Sequence, residues 1–209
     1  RGFREVLLDE HGDTLTRDYQ TWCHTALRVD EQRIWLPFVH TPDTYIVDAR
    51  TGDPLRVFPK SCERNAKDIV TNAAVVGDHL FTGGWTPGIQ RIPLREDQRP
   101  ECIPIEDEVT AIIPWREHQF LAGTKLHGIL HMTTDGNIMQ RSRHDRGDPS
   151  SLVNDRIRCM LKDRAGNLWV GTAEGLSVDA PGVWRSTAVP LVAEAVSYTH
   201  LRAHETVLD

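Results

Sequence analysis

Four aliphatic–aromatic pairs recur along the chain: Ile34-Trp35, Leu80-Phe81, Phe120-Leu121 and Leu168-Trp169. Their starts lie 46, 40 and 48 residues apart. Each pair follows a charged or polar turn, respectively Asp30-Glu31-Gln32, Gly77-Asp78-His79, Arg116-Glu117-His118 and Asp163 to Asn167. A period in the forties built from short strands is the pattern of propeller blades, with four strands to a blade. Solenoid repeats of that length are mostly helical, and no sustained 3.6-residue apolar periodicity runs through this sequence. An isolated hairpin buries neither face, so each unit requires neighbours. The expected fold is all-β: a β-propeller arc of about four four-stranded blades plus a remnant, a fragment of a larger ring, because such rings usually hold about four to eight blades.

Blades are expected at about 18–60, 61–106, 107–146 and 147–195, with 1–17 the remnant of a preceding blade. Asp48 to Asp53 supplies the outer turn of the first, with Gly52 in the left-handed position. Thr134-Asp135-Gly136-Asn137 does the same in the third, where Asp-Gly is a strong hairpin signal. Pro93 and Pro104 lack a backbone donor and suit outer strands. Glu106-Asp107-Glu108 reads as a solvated acidic run in the loop between the second and third blades.

At 39% hydrophobic and 26% charged, the 209 residues are globular in type and not disordered. No apolar run approaches the roughly 18 residues of a membrane span. A net charge of −6 argues against nucleic acid and offers no basic patch for a membrane surface. Cys23, Cys62, Cys102 and Cys159 show no C-x-x-C or zinc spacing, and buried free thiols are the expectation. Residues 196–206 (VSYTHLRAHET) resemble the in-frame translation of a common transposase sequencing adapter, with 207–209 in the barcode that follows it. Residues 196–209 are therefore expected to be a non-native tail, marking a cut in the natural reading frame.

Around 144–178 the residues carry a family resemblance. His144, Asp148-Pro149, Ser151-Leu152, Asn154-Asp155, Ile157, Leu161, Asp163, Gly166-Asn167-Leu168-Trp169-Val170-Gly171-Thr172 and Gly175-Leu176 resemble the two-component regulator propeller repeat. That repeat reads Asp-x-x-Gly-Asn-Leu-Trp-x-Gly-Thr-x-x-Gly-Leu, often after an Asp-Pro-x-Ser-Leu loop. The fourth blade matches closely and the other three in outline, with Phe120 to Thr124 and Gly128 the best of them. The Asp-box of sialidase-like propellers places Asp and Gly two apart, whereas Asp163 and Gly166 are three apart.

The resemblance implies an extracytoplasmic, periplasmic ligand sensor of a bacterial transmembrane receptor. Its output domain would be a histidine kinase, a hybrid kinase-regulator or a diguanylate cyclase, and any membrane contact would run through a downstream segment. The full receptor could form a homodimer. No kinase signature or phosphate loop occurs within the chain, and Gly83-Gly84 lacks the Lys-Ser/Thr that would follow one.

Candidate chemistry is sparse. Trp35, Phe81 and Trp169 read as packing between blades, burying roughly 150–250 Å² each. His127 and His131 are four apart, but their strand context does not make them a metal pair, and neither metal nor cofactor is expected. No nucleophile, base and orienter can be assembled by spacing, so no catalytic residue is assigned. In an up-and-down blade, second-to-third-strand loops and blade-to-blade loops emerge on one face. Here these are His40 to Asp43, Trp85 to Pro87, Lys125 to His127 and Ala173-Glu174, with 59–70, 106–108 and 143–152. Binding residues favour loops on a rigid scaffold. Trp85 would supply a stacking surface, and His40, Lys125, His127 or Glu174 polar contacts. That combination suits a small polar ligand such as a sugar. The alternatives are a propeller-type hydrolase or lyase, which needs convergent carboxylates, a metal or a cofactor near the ring axis, and a protein-interaction platform, which needs an exposed apolar patch.

Deleting residues 196–209 should leave the melting temperature of the remainder unchanged within error, because that segment was never selected to pack. A clear loss in thermal denaturation would make the tail part of the fold.

Overall fold

The computed structural model describes residues 25–37, 43–59, 69–95, 98–180 and 183–187. The expected remnant at 1–17, His40, Cys23, Cys62 and the tail at 196–209 lie outside the described residues. Every regular element described is a strand. The first four are β1 (Leu27–Arg28), β2 (Arg33–Leu36), β3 (Asp43–Asp48) and β4 (Pro54–Pro59), paired in that order. Next come β5 (Val70–Val76), β6 (His79–Gly84), β7 (Pro87–Pro93), β8 (Glu101–Arg116), β9 (Gln119–Thr124), β10 (Ile129–Thr133) and β11 (Ile138–Ser142). The last are β12 (Ile157–Lys162), β13 (Leu168–Thr172), β14 (Leu176–Ala180) and β15 (Val183–Thr187), again paired in order. All pairings between sequential strands are antiparallel, as four-stranded blades require.

The long strand β8 departs from the sequence expectation. It serves as the outer strand of one blade and the inner strand of the next, joining β5–β11 into one seven-stranded sheet. The acidic run Glu106-Asp107-Glu108 is thus in a strand, not a loop, and Asp107 is 7% exposed. Ile103, Ile105, Asp107 and Val109 share the buried face of that strand, so the alternation places Asp107 inward. The cysteines also differ from expectation. Cys102 is exposed and disulfide-bonded, and Cys159 is free but exposed.

Both faces of the middle sheets are covered. Trp35, Ile46 and Phe58 pack on Val70, Leu80 and Ile92. Phe81, Ile89, Ile103 and Ile105 pack on Ile112, Phe120, Ala122 and Leu130, with the Phe81 and Phe120 rings 4.5 Å apart and tilted by 33°. Such a pair adds about 0.5–1.5 kcal/mol beyond its area burial. Leu121 and Ile129 pack on Ile157, Leu168 and Val170. On the second strand, adjacent residues therefore face opposite neighbours, which is why the recurrent motif is a pair of large apolar residues and not a single one.

Tight turns follow from Asp chemistry. Asp163 Oδ1 accepts from the Ala165 and Asn167 N–H groups, while Oδ2 accepts from Trp169 Nε1 at 2.9 Å and Asn167 Nδ2 at 2.8 Å. Gly166 closes that turn at φ +88°, a conformation costly for any residue with a Cβ. The Trp169 indole donor, followed by the Asn167 amide, holds the Asp163 carboxyl down to about 2. Trp169 is only half-buried, unlike Trp35 and Phe81, and its N–H anchors the ring to this turn.

Consecutive blades touch through glycine. A Cβ on Gly83 would come within 2.8 Å of Val109 Cβ, and one on Gly123 within 2.6 Å of Ile157 Cγ2. Side chains bridge the same seam. Asn72 Nδ2 donates to the Gly83 and Val109 carbonyls at 3.1 and 2.7 Å, and Thr110 Oγ1 lies 3.1 and 3.0 Å from those of Gly123 and Ile157.

Gly83→Ala should destabilise the chain by about 1–3 kcal/mol, because the obstructing Val109 Cβ cannot rotate away. Gly147→Ala, whose nearest new contact is 3.4 Å, should stay within about 0.5 kcal/mol of the parent. Equal midpoints in urea for the two variants would contradict the seam.

Candidate functional site

The inner strands of the last three blades begin the same way. A buried β-branched residue pairs with the end of the neighbouring second strand: Val70 with Gly84, Val109 with Thr124, and Ile157 with Thr172. The ladder then slips by one residue, so that Thr71, Thr110 and Arg158 are bulge residues. A bulge re-aims a side chain out of the regular alternation. All three residues line a single cavity of about 620 Å³, together with Trp85, Glu108 and Lys125. That volume lies within the range of small-molecule sites, about 300–1,000 Å³.

The loops at the cavity are held by a repeated backbone bond. The N–H groups of Trp85, Lys125 and Ala173 donate to the carbonyls of Ile69, Glu108 and Arg156 at 3.1, 3.0 and 3.0 Å. The first residue of these three second-to-third-strand loops is thereby fixed beside the inner strand. At that position the Trp85 side chain is 58% exposed, and Lys125 Nζ donates to Glu108 Oε1 at 2.5 Å. Arg158 is exposed, with no hydrogen-bond or ion-pair partner among the described residues.

His127 belongs to a different cavity. Asp107 Oδ2 accepts from Leu126 N at 2.8 Å and contacts His127 Nδ1 at 2.9 Å, while Oδ1 accepts from Glu108 N. Burial would raise the Asp107 carboxyl, but the Leu126 N–H, the His127 ring and the Glu108 N–H outweigh it and hold it below 3.8. Asp107, His127, Glu106 and Arg141 line this second space of about 220 Å³. His131 turns elsewhere: its Nε2 lies 3.0 Å from Ser142 Oγ, and burial, followed by the Arg116 charge, pushes its pKa down. No cluster of three or more metal-binding side chains occurs among the described residues.

Of the residues expected from sequence, Trp85 and Lys125 meet at the larger cavity and His127 lines the smaller one. Glu174 is exposed in its loop, its N–H on Thr172 Oγ1, and it lines neither. Sequence reading missed Arg158, Thr71 and Thr110. The signal that could have found them is their common place, one residue after the β-branched starts Val70, Val109 and Ile157.

Residues 151–174 match the family model of the two-component regulator propeller. No curated protein sequence matches the chain. Among solved structures, the chain is similar to the extracellular domain of BT4673 from B. thetaiotaomicron, assigned as a hybrid two component system. The TM-score is 0.61 at 17% identity, covering 75% of this chain and 21% of that one. It is also similar to U3-55K, with TM-score 0.61 at 13% identity over 78% of this chain and 50% of that one. The computationally designed Ika4 protein gives 0.59 at 12% identity, over 86% of this chain and 98% of that one. At these identities the likeness establishes the propeller fold, and the chain spans about a fifth of the BT4673 domain.

Asp107→Ala should cost about 1–3 kcal/mol, since it strands the Leu126 and Glu108 N–H donors. Because the Asp107 carboxyl is depressed on folding, its contribution is full above pH 3.8 and lost as pH falls through its folded value. The gap in urea midpoint between parent and variant should therefore narrow as pH falls towards the acid end. A constant gap would remove Asp107 as the titrating group.

Proposed function

We propose that the chain is a ligand-sensing, non-catalytic segment of an extracytoplasmic signalling propeller. The observation that carries this reading is the cavity of about 620 Å³, where three consecutive blades each contribute a bulge residue beside the exposed Trp85. A site assembled from several blades responds to a ligand as a unit. Any shift of one blade against the next changes its shape, as a sensor needs.

Three further points support the assignment. The repeat at 151–174 matches the two-component regulator propeller, whose name places it in signal transduction. One similar structure is an extracellular domain of a two-component system. The disulfide at Cys102 suits an oxidising, extracytoplasmic compartment, where such bonds persist. The ligand is a small polar molecule, of which a sugar fits best: its apolar ring face stacks on Trp85, and its hydroxyls meet Thr71 and the Lys125–Glu108 pair.

The test is to substitute Trp85 and Lys125 separately by Ala and titrate each variant with a panel of neutral and acidic monosaccharides and disaccharides. Loss of the stacking surface should weaken binding about tenfold or more, with the melting temperature preserved. Unaltered affinity in both folded variants would move the site off this face.

A further inference from the structure

The cavity that carries the proposed function has an uneven charge. Among its lining residues Lys125 is matched by Glu108 at 2.5 Å, so that pair contributes no net charge. The Thr110 hydroxyl is engaged with the Gly123 and Ile157 carbonyls and belongs to the seam between blades. What is left is Arg158. It occupies the same bulge position as Thr71 and Thr110 but carries a guanidinium, and that group has no partner among the described residues.

Resting on the reading above, we infer that this cavity selects a ligand bearing a carboxylate, with Arg158 as the residue that recognises it. The chemistry follows from the fork. A planar guanidinium presents parallel N–H donors that match both oxygens of a carboxylate, which a neutral hydroxyl cannot equal. Arg158 is held at the start of β12, where Ile157 is wholly buried against the preceding blade and the Arg156 carbonyl binds Ala173 N at 3.0 Å. With the Cys159–Gly171 pairing on the other side, the backbone is tied down before and after Arg158, and its side chain is left to reach the ligand. Trp85 comes from the loop two blades earlier, so a ligand that touches both must bridge the cavity. An anionic group at one end and a flat ring face at the other satisfies that geometry.

Arg158 also explains why Lys125 does not fill this role. Its ammonium is already neutralised by a carboxylate of the protein itself, and a ligand anion there would have to displace Glu108. Arg158 needs no such exchange.

The experiment titrates the chain with glucose and with glucuronate, which share a ring and differ by the carboxylate, following indole fluorescence. Glucuronate should bind about tenfold to a hundredfold more tightly than glucose, the range for one charge-assisted recognition pair. Arg158→Gln should erase that preference, bringing the two sugars to one affinity, with the melting temperature preserved. Arg158→Lys, which keeps the charge and loses the fork, should retain part of it. Equal binding of the two sugars, both abolished by Trp85→Ala, would overturn the carboxylate inference and leave the site in place. A preference that survives Arg158→Gln would overturn it too. Binding of neither sugar, or binding indifferent to Trp85→Ala, would overturn the site and the inference together.

Discussion

The close approach of one blade to the next at Gly83 against Val109, and at Gly123 against Ile157, governs the rest of this structure. Removing a side chain from the second strand lets the neighbouring inner strand enter to van der Waals contact, and that inner strand then brings its own buried β-branched residue into the seam. Asn72 and Thr110 close the seam with side-chain bonds to carbonyls on both sides of it. Glycine weakens a strand in isolation. Here that cost is offset by apolar burial between sheets, in which Phe81, Phe120, Leu121 and Leu168 are wholly removed from solvent.

The cavity is a consequence of the same junction. Once Val70, Val109 and Ile157 are locked into their seams, the ladder must slip to continue past the glycine-containing strand end, and the residue at the slip leaves the regular alternation. Its side chain is turned towards the space that the inner strands share. Scaffold and cavity therefore use adjacent residues: Ile157 packs in the seam, and Arg158 lines the cavity.

Much of the architecture was legible in the spacing of the aliphatic–aromatic pairs, because Leu80-Phe81 and Phe120-Leu121 each report a second strand clamped between two neighbours. The Asp163 turn was legible too, since Asp, Gly and Asn each meet a specific demand of its geometry. The continuity of β8 was not. Pro104 and three successive acidic residues look like a break, and Asp107 hides the alternation by standing where an apolar residue would, stabilised by donors from a loop 19 residues later. Trp85 and Lys125 could be placed by loop position alone. Arg158 could not, because in Ile157-Arg158-Cys159 it fits the pattern of a solvent-facing strand residue, and only the bulge turns it to the cavity. The disulfide at Cys102 was hidden for a related reason: pairing depends on distances that spacing along the chain does not contain.

Residues from consecutive blades converge on one cavity beside Trp85. The most direct measurement is a ¹⁵N-edited NMR titration of the tryptophan indole resonances with glucuronate. The Trp85 indole signal should move with added ligand, while the wholly buried Trp35 and the Asp163-bonded Trp169 stay in place. Movement of Trp169 with a stationary Trp85 would contradict that convergence, and would put the binding surface on the last sheet.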